Sequence, residues 1–172
     1  MQNGFGLFRT ALPLSVLCFS LCLHSQNLPA CQTSELSIDL TSVGDGMGRD
    51  SLGFDLTNQS HRICILFGYP SVVALNRKGE TVREMHFQHS TAISGREDLR
   101  LEKIQLKPGD HAWFEIRTCH PAGDIDYPLF KKVTELRITP PLNKNSFREH
   151  YSFRSCDGNV GISFLVAGSA ND

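Results

Sequence analysis

Ala112-Trp113-Phe114-Glu115-Ile116-Arg117 decides the fold class. Ala112, Phe114 and Ile116 occupy every second position, and Trp113, Glu115 and Arg117 fill the gaps. A period of two puts successive side chains on opposite faces of an extended chain, so this stretch reads as a strand with one apolar face. Working outward, the same alternation recurs. Leu36, Ile38 and Leu40 alternate with Ser37, Asp39 and Thr41, and Phe54 and Leu56 flank Asp55. Leu136 and Ile138 alternate with Glu135 and Arg137, and Val160, Ile162, Phe164 and Val166 close the series. Residues 63–67 form a continuous apolar run, expected of a central strand covered on both faces. Helical periodicity is absent.

Turn chemistry separates the runs. Pro108-Gly109 suits a type II turn, because proline presets φ and glycine tolerates a positive φ. Asn76-Arg77-Lys78-Gly79 predicts a tight hairpin between residues 72–75 and a strand over 81–87. Pro140-Pro141 ends another strand, and Asp45-Gly46-Met47-Gly48 reads as an exposed loop. The pair Glu102-Lys103 interrupts a strand expected over 101–106, which suggests a bulge. Many short strands at this spacing predict an all-β domain, a two-sheet antiparallel sandwich with inward side chains alternating along each strand.

The first 25 residues resemble a cleavable signal peptide. Arg9 and the free amine give a positive start, and the apolar stretch 11–23 is shorter than the ~20 residues a spanning helix needs. Residues 26–172 then form one domain, and no second hydrophobic span follows. The predicted location is secreted or periplasmic. A net charge of −1 and a sequence pI near 6.6 supply no basic field for nucleic acid.

Of the six cysteines, Cys18 and Cys22 fall in the leader, and Cys31, Cys64, Cys119 and Cys156 remain. Outside the cytosol these four are expected to be disulfides. Three pairings are possible, and neighbour pairing is the simplest. A zinc ion on four thiolates would call for C-x2-4-C knuckles, and no two of these cysteines are that close.

One set of pieces, in order along the chain, is similar to a known family. Cys31 precedes the extended stretch 36–40. Phe54-Asp55-Leu56-Thr57-Asn58-Gln59-Ser60 follows, then Cys64 and Gly68-Tyr69-Pro70, then the hairpin at 75–79. Leu106-Lys107-Pro108-Gly109-Asp110 leads into the strand 112–116, residues 136–141 end in paired prolines, and Cys156 comes last. The chain resembles the secreted bacterial domain-of-unknown-function family 4232. The resemblance implies an immunoglobulin-like β-sandwich outside the cytoplasm, bridged Cys31–Cys64 and Cys119–Cys156, with no catalytic residues to carry over. The charged stretch 84–100 is longer than the family pattern.

Candidate chemistry is sparse. Met85, His86 and His89 combine imidazole and thioether, ligands suited to copper, although a strand over 81–87 sends Met85 and His86 to opposite faces and leaves His89 outside it. Asp39, Asp45, Asp50 and Asp55 offer carboxylates for calcium, without the EF-hand pattern. Cys119-His120 places a thiol beside an imidazole, yet neighbouring strand residues point apart. A secreted hydrolase would therefore need an unrecognised site, with no G-x-S-x-G elbow and no HExxH in the chain. Asn58-Gln59-Ser60 is an N-glycosylation sequon. Trp113 alternates with inward residues and is expected on an exposed sheet face, with Tyr69 and Tyr127 beside turn prolines. Exposed aromatics of this kind anchor protein or glycan partners. The expected function is a non-enzymatic binding module without a cofactor, engaging a protein or cell-envelope ligand.

Overall fold

A computed structural model describes residues 28–46, 48–91, 93, 96, 98–119, 133–152, 155 and 157–170. The expected leader, His120, Tyr127 and Cys156 lie outside the described residues.

The described chain is all-β. Strand β1 (Leu36–Gly46) turns directly into β2 (Arg49–Asn58), and the two pair antiparallel along their whole length. Asp45 and Gly46, expected in a loop, are instead the last residues of β1, with Gly46 opposite Arg49. A bulge between Leu40 and Ser42 adds one residue to β1. The next strands are β3 (Cys64–Leu66), β4 (Ser71–Leu75), β5 (His86–Ser90) and β6 (Ile104–Leu106). They are followed by β7 (His111–Cys119), β8 (Glu135–Thr139), β9 (Phe147–Glu149), β10 (Asn159–Ser163) and β11 (Val166–Ala167).

Three sheets result. The largest has six strands in the order β1-β2-β7-β10-β5, with β11 also on β7; β3 pairs with β6, and β8 lies between β4 and β9. All three contribute to one core: Phe54, Phe114 and Ile116 from the large sheet, Leu66 and Leu106 from the small one, and Ala74, Leu136 and Ile138 from the third. Phe54 and Phe114 sit directly opposite each other on β2 and β7, their rings stacked 5.4 Å apart. Such a pair adds about 0.5–1.5 kcal/mol beyond its buried area. The inward set on β7 is the apolar set of the sequence pattern.

Several expectations need correction. The run 63–67 is not a doubly covered central strand. Only Cys64–Leu66 is extended, in a two-stranded sheet, and Ile63 and Phe67 are 39% and 40% exposed. Its apolar composition instead serves the Cys31 segment, because Cys31 donates its backbone N–H to Ile65 O at 3.0 Å and its side chain bridges Cys64. The predicted strand 81–87 begins later, at His86; Thr81 makes only an isolated bridge to Leu75. The turn before it is real, with Gly79 at φ +74° and its N–H on Asn76 O. The strand expected over 101–106 starts at Ile104, so Glu102 and Lys103 precede the ladder and do not bulge it. One strand pair among the described residues departs from the antiparallel expectation: β5 runs parallel to β10, with Val160 opposite Phe87 and Ile162 opposite His89. Parallel neighbours come from a long excursion between strands, which local alternation does not record.

Candidate functional site

The side of the large sheet turned away from the core carries the candidate site. Alternation sends Ser51, Gly53 and Asp55 of β2 and Trp113, Glu115 and Arg117 of β7 to this outer face. At its Trp113 end the face is covered. Trp113 was expected to be exposed, but it is buried, packed with Ile93 and Phe164 and bordered by Tyr69, Leu99 and Ala170. The C-terminal residues cross β7 and β2 there. Gly168 N–H donates to His111 O at 3.0 Å. Ser169 Oγ donates to Asp55 Oδ2 at 2.5 Å, and Ala170 N–H and Thr41 Oγ1 donate to Asp55 Oδ1 at 3.0 and 3.1 Å. Asp55 is thus an outward residue, as the pattern indicated, yet it is 4% exposed beneath this strap. Three donors satisfy a carboxylate that would otherwise be costly to bury. Gly53 allows the strap to lie flat, because a Cβ there would meet Ala170 Cβ at 2.8 Å.

Among the described residues, the opposite end of the same face is uncovered. Ser51, Arg117, Gly161 and Gln88 form one cross-strand row over β2, β7, β10 and β5. The third member has no side chain, so the row carries a notch. The notch opens into a groove of about 490 Å³ lined by Arg49, Arg117, Gln88, Ser90, Asn159 and Asp157 among others. Arg49 lies opposite Cys119, two positions from the Ser51–Arg117 pair, so the two arginines are diagonal neighbours on one face. Glu115, 5% exposed, brings its Oε2 to 3.6 Å from Arg117 Nε. Asp157 is committed to its own turn. Its Oδ2 accepts from Asn159 Nδ2 at 3.0 Å, and its Oδ1 accepts from Asn159 N–H at 2.8 Å and Ser155 Oγ at 3.3 Å. The hydrogen bonds from Asn159, side chain first, hold its carboxyl below the usual range.

The other sequence candidates disperse. Tyr69 is half-buried, its ring stacked on His89 at 4.1 Å and set edge-on to Phe164 at 6.0 Å. His89 belongs to β5 after all and borders the groove, whereas Met85 packs against the main core and His86 is exposed at the start of the strand. No cluster of three or more His, Cys, Asp or Glu side chains placed to share a metal occurs among the described residues. Cys31 and Cys64 are disulfide-bonded, with Cα atoms 4.8 Å apart. Cys119 is also disulfide-bonded, and its expected partner, Cys156, lies outside the described residues.

The sequon is an architectural corner. Asn58 is 1% exposed, and its Nδ2 donates to Arg62 O at 2.8 Å and Leu106 O at 3.0 Å. Its Oδ1 accepts from Ser60 N–H at 3.0 Å and Ser60 Oγ at 2.7 Å. A side-chain nitrogen so engaged is closed to glycosylation in the folded protein.

Sequence reasoning missed the groove. Alternation marks Arg117 as outward, but only the register shows that a glycine is its neighbour on β10 and that Arg49 joins it from β2.

These features define a disulfide-tied, all-β domain with one strapped and one grooved outer surface. The chain belongs to the family described as Domain of unknown function (DUF4232), whose sequence model matches residues 31–163. Searches of curated proteins and of solved structures gave no match. No helix among the described residues is long and apolar enough to cross a membrane.

Proposed function

We propose that this chain is an exported, non-enzymatic β-sandwich of the immunoglobulin-like kind that binds a protein or cell-envelope ligand in the outer-face groove. The groove carries the reading: a concave polar surface of about 490 Å³ built on strand positions, whose spacing is fixed by the ladder. Export is supported by the apolar stretch 11–23 and by the Cys31–Cys64 bond, because disulfides persist in oxidising compartments. The sandwich reading is supported by the single core shared among the three sheets. A binding role suits the groove's charged groups. Guanidiniums do not exchange protons near neutral pH, and the Asp157 carboxyl, held low by Asn159, is a weak base.

The test is retention of envelope fractions, envelope glycans and extracted envelope proteins on the immobilised, oxidised domain. Saturable retention competed by free domain is the expected result. Retention of nothing from any fraction would remove this reading.

A further inference from the structure

We propose that the β8–β9 hairpin docks on an anionic phospholipid surface, with Leu142 entering the apolar layer and Arg137 and Lys144 on the headgroups. This contact is separate from the groove. Residues 140–143 form a type II turn: Asn143 N–H donates to Pro140 O at 3.2 Å, Pro141 takes the second position, and Leu142 takes the third at φ +62°. Glycine or asparagine suits that third position, because a bulky side chain is strained at positive φ. Leu142 is held there nonetheless, and it is 81% exposed, so it adds little to the core. Backbone strain persists only where the surroundings enforce it. Here Asn143 Oδ1 accepts from Thr33 N–H at 2.8 Å, Asn143 Nδ2 donates to Cys31 O at 2.9 Å, and Thr33 Oγ1 donates to Asn145 O at 2.9 Å. The tip is thereby pinned beside the Cys31–Cys64 bond. A second apolar side chain borders it: a Cβ on Gly68 would lie 3.7 Å from Pro141 Cβ, and the neighbouring Phe67 is 40% exposed.

Charge selects the occupant. Residues 136–148 contain three cations, Arg137, Lys144 and Arg148, and no carboxylate. Arg137 lies directly opposite Arg148 on the exposed side of β8 and β9, while Leu136 and Ile138 face the core. Arg148 is ion-paired with Glu135 at 3.1 Å and is left out of the count. Arg137 and Lys144 are exposed and make no ion pair among the described residues. The net charge of the chain is −1, so the attraction for anions is local to this hairpin. A soluble polyanion would satisfy the two cations and leave Leu142 in water. An anionic bilayer satisfies both, because its headgroups meet the cations and the acyl layer beneath takes the leucine.

The test is sedimentation of the intact oxidised domain with vesicles of phosphatidylcholine alone and of phosphatidylcholine mixed with phosphatidylglycerol, at low and high salt. Saturable binding to the mixed vesicles, weakened by salt and absent from phosphatidylcholine alone, is the expected result. Leu142→Asn should weaken binding about tenfold, the scale of an apolar side chain left in water. The same variant should keep thermal stability equal or higher, because asparagine tolerates a positive φ, which separates a lost anchor from a damaged fold. Arg137→Gln and Lys144→Gln should each weaken binding about fivefold. Arg96→Gln, an exposed arginine whose backbone N–H bonds Ile93 O beside the strapped surface, is the control that should change nothing.

No binding to the mixed vesicles, unchanged affinity in Leu142→Asn, or an equal loss in Arg96→Gln would overturn the proposal. Capture of soluble polyglutamate without any vesicle binding would replace the bilayer with an acidic macromolecule. Retention of glycans and extracted proteins by the groove is read separately, since neither contains a bilayer.

Discussion

Replacing Asn58 with alanine should be among the most damaging single polar substitutions in this domain. Asn58 uses its full hydrogen-bonding capacity at 1% exposure, with two donors on Arg62 O and Leu106 O and one oxygen accepting twice from Ser60. Its backbone is committed too. Asn58 N–H donates to Asp110 O at 3.0 Å, and Gly109 N–H donates to Asn58 O at 2.8 Å. The residue therefore joins the end of β2 to the 107–110 turn and to β6. Alanine removes the side-chain partner of Leu106 O, a fully buried acceptor, and of Arg62 O and Ser60 N–H, which are nearer water. A buried group left unsatisfied costs about 1–3 kcal/mol, and a partly exposed one recovers most of that from solvent. The expected loss is about 2–4 kcal/mol, and part of the 5–15 kcal/mol that holds a typical domain together would be gone. Urea unfolding of the oxidised protein, with a common m-value for the two forms, measures it. Asn58→Asp is the sharper control. It retains the Oδ1 acceptor for Ser60 but turns both donor positions into a carboxylate oxygen facing carbonyls, so it should be no better than alanine. A loss under about 0.5 kcal/mol for Asn58→Ala, or an Asn58→Asp protein as stable as the parent, would refute the corner argument, since surface changes fall in that range.

Other expectations follow from the same geometry. Cys31→Ala with Cys64→Ala opens a link spanning 33 residues and should lower stability by roughly 2–4 kcal/mol in denaturant unfolding. Gly53→Val drives a side chain into Ser42 and Ala170 and should lower the thermal midpoint and increase cleavage of the C-terminus in limited proteolysis, whereas Gly161→Ala, whose added carbon meets nothing nearer than 3.5 Å, should do neither. Asp55→Ala strips the acceptor from Ser169, Ala170 and Thr41 and should give the same proteolytic signature as Gly53→Val. Glu35 provides the pH dependence. The hydrogen bond from Arg62, then that from Gln32, holds its carboxyl below 4.5, so its contribution is present above that value and fades as pH falls through the folded-state pKa. The pair is solvent-exposed and its effect small. The acid-induced drop in urea midpoint between pH 7 and pH 3 should be measurably shallower in Glu35→Gln.

The sequence carried the fold class well because alternation is a local property. Phe54, Phe114 and Ile116 face the core as their spacing required, and the glycines at 79 and 109 adopt the positive φ their turns demanded. It failed wherever the answer depended on what lies across the sheet. Trp113 points outward as the period of two dictates, but the residues buried with it, Ile93 and Phe164, come from distant parts of the chain. Residues 63–67 have the composition of a central strand, and only pairing partners show that they edge a small sheet beside Cys31. The groove needed three strands in register before Arg49, Arg117 and Gly161 could be seen as one surface. The sequon illustrates the same limit from the other side: its three residues are legible, but the carbonyls that occupy its amide belong to other segments.

The chain has a single tryptophan, buried with Ile93 and Phe164 in the cluster against which Ala170 of the strap packs. Its indole is therefore a natural optical gauge of that contact. Emission should be blue while residues 168–170 are seated and should move to the red when they lift, before the main core melts. Strap opening and global unfolding can thus be followed in one cuvette without any attached label.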